Sequence, residues 1–206
     1  MTKTHEAKMN HIHLSACFNN LGRLAAREEK DWRQRHGAAL ASLAGHAKTV
    51  VSTSSDIRAR ELANIAHGLA KSGLGPEMPE LMSALGGALK VRVAECNSQE
   101  LANAAWAFAK AGRPDEALFS ALSKSVKGRV SDFNSQELTN VAWAFATAKQ
   151  TDGELFAALA SAVSGCLTEF TEQGLSNTAL AFAKAGHLEA RLFEQIAKLA
   201  RQRLDR

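Results

Sequence analysis

One segment returns along this chain at a nearly constant interval. SQELANAAWAFAKAG at 98–112 comes back as SQELTNVAWAFATAK at 135–149 and as QGLSNTALAFAKAG at 173–186, and RELANIAHGLAKSG precedes it at 60–73. Leu101 and Leu138 are 37 residues apart, Leu138 and Leu175 again 37, and Leu62 and Leu101 39. Self-similarity at this period implies a stack of like units, none able to bury its apolar face alone.

Each copy reads as one helix followed by a second. Leu101, Ala104, Ala105 and Phe108 fall within one arc of the first helix, while Ala102 and Ala109 flank it and permit close approach of a neighbour. Short breakers such as Ala111-Gly112-Arg113-Pro114-Asp115 supply glycine after a helix and proline or aspartate before the next. The second helices carry apolar residues at steps of three or four, as in Leu118, Leu122 and Val126. Asn97 with Glu100, and Asn134 with Glu137, have the spacing of a reciprocal helix cap. The fold expected is all-α, a right-handed α-solenoid of tandem helix pairs. Residues 1–10 read as a disordered, polar N-terminus and 11–56 as a degenerate leading helix pair. Residues 57–206 read as four helix-pair repeats, at 57–95, 96–132, 133–169 and 170–206.

Composition narrows the function classes. The 206 residues hold no tyrosine and only three prolines, and the net charge of +4 permits a polyanionic partner. Cys17, Cys96 and Cys166 are isolated, as in a reducing compartment, and the seven histidines lack metal-ligand spacing. No nucleophile motif or phosphate-binding glycine loop is visible, so neither an enzyme nor a cofactor or metal is expected. No apolar run reaches the ~18 residues of a membrane helix, and no clear presequence opens the chain.

The SQELAN-x-x-WAFAKAG pattern resembles the octotricopeptide repeat and its heptatricopeptide and FASTK-like relatives, over roughly residues 57 to 206. The resemblance implies a solenoid that binds single-stranded RNA. It implies a role in organellar RNA processing, stability, translation or ribosomal RNA assembly, in mitochondria or alternatively chloroplasts, with other ribonucleoprotein proteins as further partners. Many relatives carry a C-terminal RAP domain; this sequence is expected to lack it, its residues up to Arg206 reading as a second helix. His67 and Leu180 stand where the pattern has tryptophan.

The candidate contacts lie on a second stripe of the first helices. Arg60, Gln99, Gln136 and Gln173 open it, His67, Trp106 and Trp143 occupy its middle, and Lys71, Lys110 and Lys184 close it. Amides read base edges, rings stack on bases and lysines neutralise phosphates. The plainer readings stay open: a solvated face for the polar residues and packing between units for the rings. Asn64, Asn103, Asn140 and Asn177 recur unchanged and read as a structural ladder of amide bonds between repeats, since a base-selecting position should vary. The varying sites Ala63/Ala102/Thr139/Ser176 and Ile65/Ala104/Val141/Thr178 are further candidates for selectivity, although the second set reads as core. Lys124, Lys127 and Arg129, at the end of a second helix, complement the helix dipole or clamp phosphate. The rival function is a protein-interaction scaffold of the armadillo or HEAT kind.

Overall fold

The computed structural model describes residues 9–25 and 32–204. Among the described residues the regular structure is all helical, and ten α-helices follow one another: α1 (His11–Leu24), α2 (Trp32–Thr53), α3 (Ala59–Lys71), α4 (Pro79–Arg92), α5 (Ser98–Lys110), α6 (Glu116–Lys127), α7 (Ser135–Thr147), α8 (Gly153–Gly165), α9 (Glu172–Ala185) and α10 (Ala190–Leu204). Of the expected disordered terminus, residues 1–8 lie outside the described residues. Asn10 caps α1 by accepting from the backbone N–H of Ile12 and His13, and the Met9 carbonyl accepts from His46 Nε2 of α2 at 2.7 Å.

The odd-numbered helices form one row, α1 on α3, α3 on α5, α5 on α7 and α7 on α9; the even-numbered helices form a second row behind it. Small side chains let the first row close up. Ala63, Ala66, Ala102, Ala105, Ala142 and Ala146 are all buried. The core between the rows is filled from both sides, with Phe119 edge-on to Phe145 at 5.1 Å and Phe156 edge-on to Phe182 at 5.2 Å. Such aromatic pairs contribute about 0.5–1.5 kcal/mol beyond the area they bury.

Each first helix starts and stops by local chemistry. Asn97 and Glu100 exchange their bonds at 2.9 Å, and Asn134 and Glu137 do the same at 2.9 and 3.0 Å. At the far end a left-handed residue turns the chain into the second helix: Gly73 (φ 75), Gly112 (φ 65), Lys149 (φ 57) and Gly186 (φ 79). The following N–H groups reach back to Leu69, Phe108, Phe145 and Phe182, which satisfies the last carbonyls. Asp152 caps α8, and Ser123 and Lys127 of α6 donate to its carboxylate at 2.7 and 3.0 Å. Those bonds, led by the one from Ser123, hold its pKa down at about 2. Among the described residues no helix is long and apolar enough to cross a membrane.

Candidate nucleic-acid interface

The 3.6-residue period of the first helices decides which side chains face outward. On α5 the positions Leu101, Ala104, Ala105 and Phe108 face the core, so Gln99, Asn103, Trp106 and Lys110 are left on the outer side. Gln99 and Lys110 are exposed, while Asn103 and Trp106 are half-buried. The same exposure recurs in α7 for Gln136, Asn140 and Trp143, and in α3 for Arg60, Asn64, His67 and Lys71. On α9, Gln173 and Lys184 are exposed and Asn177 is half-buried. The candidate stripe therefore lies on the surface of the odd-numbered row.

Its middle is a continuous run of rings. His67 lies 5.1 Å from Trp106 between centroids, and Trp106 lies 6.2 Å from Trp143, with interplanar angles of 47° and 33°. Packing between units and partial exposure are thus combined in the same side chains. Leu180 continues the position and is 63% exposed, because α9 has no further helix beside it among the described residues. Burial, and secondarily the ammonium of Lys71, hold the His67 imidazole below its ordinary pKa, so a neutral ring joins the run.

Cations flank the rings at the C-terminal end of the row. Lys71, Lys110 and Lys184 are exposed there, and Lys184 Nζ donates to Thr147 Oγ1 at 3.4 Å. Arg23 closes α1 in the matching place and is exposed. Sequence reasoning passed it over, although the match of Leu14 and Leu21 to Leu62 and Leu69 aligns Arg23 with Lys71.

Two expectations are corrected, and one open alternative is decided. The asparagines do not form a ladder: among the described residues the amides of Asn64, Asn103, Asn140 and Asn177 bond to no other part of the chain. They sit on the outward face, where water serves an amide, and buried alanines set the spacing of the helices instead. The first set of variable sites is mostly interior as well, and the second lies in the core as its pattern indicated. Ile65, Ala104, Val141 and Thr178 are fully buried, as are Ala63 and Ala102, and Thr139 is spent on a 3.0 Å hydrogen bond to Thr178; only Ser176 is exposed. Lys127 is no free phosphate clamp, since Asp152, the cap of α8, and Glu154 hold it at 3.0 and 2.8 Å.

Between the N-terminal ends of α7 and α9 lies a cavity of about 370 Å³ bordered by Gln136, Asn140, Gln173, Gly174 and Asn177. Gly174 occupies the position that Glu100 and Glu137 hold in α5 and α7, where their side chains fold back onto the cap. Among the described residues no His, Cys, Asp and Glu cluster is placed to hold a metal ion. Burial pushes the Cys96 thiol up to about 12, which leaves it protonated and unreactive at neutral pH. In comparisons with known proteins, no family model and no curated protein matches the chain.

Proposed function

We propose that the chain is an α-solenoid of helix-pair repeats that binds single-stranded RNA along the outer face of its odd-numbered helices. The observation that carries this reading is the run of half-exposed rings, His67, Trp106 and Trp143, flanked by amides without partners among the described residues and by exposed cations. Stacking on such rings contributes about 1–3 kcal/mol per base and tolerates any sequence, while the lysines neutralise phosphates. The likeness of the repeated segment to octotricopeptide-type repeats supports an organellar transcript as target, mitochondrial in the first instance and chloroplast in the second. It also supports a place beside other ribonucleoprotein proteins in RNA processing, stability or ribosomal RNA assembly.

Fluorescence anisotropy with labelled single-stranded RNA tests the reading. Log affinity should fall with log salt by about 0.7 per neutralised phosphate. Trp106→Ala combined with Trp143→Ala should weaken binding at least tenfold, about 1.4 kcal/mol, with helicity retained by circular dichroism. Binding that ignores salt and both tryptophans, or a protein that captures only other proteins, would leave the armadillo-like scaffold as the better description.

A further inference from the structure

We infer that the cavity between α7 and α9 is a pocket for one unpaired nucleobase of the bound strand, a proposal that rests on the RNA-binding reading above. Gly174 borders the cavity at the position where α5 and α7 carry glutamate. In α5 and α7 the third helical position is glutamate, whose carboxylate accepts the backbone N–H of the capping asparagine at 2.9 and 3.0 Å. In α9 that position is Gly174, and Thr171 caps the helix alone, its Oγ1 accepting from the Gly174 N–H at 3.0 Å. A Cβ added to Gly174 would lie 3.2 Å from Thr171 Oγ1, 3.5 Å from the Phe170 ring and 3.7 Å from Thr139 Oγ1, all of which border the cavity. A side chain at position 174 would therefore intrude on the space.

The chemistry of the lining selects the occupant. None of the bordering side chains is ionisable, which disfavours a phosphate or a metal ion as the resident group. Four carboxamide residues, Gln136, Asn140, Gln173 and Asn177, border it, and their amides bond to nothing else among the described residues. A carboxamide presents a donor beside an acceptor, the complement of a base edge, and pairs well with the N6 and N7 of adenine. Phe170, buried, supplies an apolar wall. The volume is that of a small ligand site. The pocket also adjoins the stripe, since Gln136 and Gln173 open that stripe on α7 and α9. A strand stacked on Trp143 can thus turn one base into the cavity, and adenine fits its amides best.

The test is a comparison of base preference in the full chain, using anisotropy with single-stranded homopolymers of adenylate, uridylate and cytidylate. Wild type should prefer the adenylate strand by about tenfold, the discrimination expected of one good bidentate contact. Gly174→Glu places the cap-pairing side chain in the cavity, so it should lower the affinity for adenylate more than that for uridylate and abolish the preference. Asn140→Ala, which removes one amide without filling anything, should reduce the preference in the same direction and covers the case in which Gly174→Glu fails to fold. Wild-type binding with equal affinity for the three strands, or a preference untouched by both variants, overturns the pocket and leaves the RNA reading intact. Absence of binding to every strand at low salt overturns both.

Discussion

At the scale of single residues the outer face is governed by what each side chain can share with its neighbours. His67 illustrates this. Its ring contacts Trp106, and both burial and Lys71 disfavour its protonation. The unfolded chain then binds the proton more readily than the folded one in the window below the ordinary value of 6.5. Stability is complete above that value and declines as the pH falls through the window toward the lowered folded pKa. Between about pH 8 and about pH 5 the melting temperature of wild type should therefore drop further than that of His67→Gln, the difference isolating this histidine from the other six. A cation–π attraction between a protonated His67 and Trp106 has the opposite sign. If it outweighed burial, the variant would be the more acid-sensitive of the two, and thermal melts at several pH values separate the cases.

At the scale of helices the alanine-rich faces set how near two axes come, and the first junction is a close one. Gly68 of α3 stands where α5, α7 and α9 have Ala107, Ala144 and Ala181. A Cβ at Gly68 would lie 2.2 Å from the carbonyl oxygen of Phe18 and 2.4 Å from its carbon. Those are backbone atoms of α1 and cannot swing aside, so Gly68→Ala must push the two helices apart. The expected loss is about 1–3 kcal/mol by urea unfolding, the range for overpacking a close contact. Gly87→Ala is the control: inside α4 an added Cβ meets nothing within 4 Å, so the substitution should stabilise by about 0.5–1 kcal/mol through helix propensity. Equal effects from the two would show that the α1–α3 approach is soft. Much at this scale was legible in the sequence, because caps and stops are local. Asn97 with Glu100 and Asn134 with Glu137 announce their bonds by spacing alone. The turn at Lys149 was harder to read, since a non-glycine residue takes the left-handed conformation there. The Gly68 contact was illegible for another reason: a missing side chain carries no pattern, and its meaning depends on which backbone lies opposite. The same holds for Gly174, whose cavity appears only once α7 and α9 are side by side. The asparagines were misread in the converse way, because an unvarying polar residue looks the same in sequence whether it bonds to the next unit or to water.

For the whole molecule, the two rows carry a consequence for folding. Each helix leans on its neighbours in its own row and on its pair-mate, α5 on α3, α7 and α6, and α6 on α4 and α8. Stability in such an arrangement is approximately a sum of unit terms and nearest-neighbour interfaces. Deleting residues 96–132 takes away α5 and α6 together and sets α3 against α7, with Leu62 and Leu138 in the relation that Leu62 and Leu101 held. The new junction joins the same kinds of faces: alanines on both sides, and His67 meeting Trp143 in place of Trp106. That protein should keep its helicity per residue and unfold in one cooperative transition at a lower temperature. Deleting residues 96–114 alone removes α5 but leaves α6 without its pair-mate, and it breaks the row between α3 and α7. Buried residues of both rows, Leu122 and Phe145 among them, would then face water. The smaller deletion should be the more damaging one, with a broad transition and lost helicity. Circular dichroism melts of the two proteins decide the matter, since a single closed core would instead tolerate the loss of fewer residues better than the loss of more.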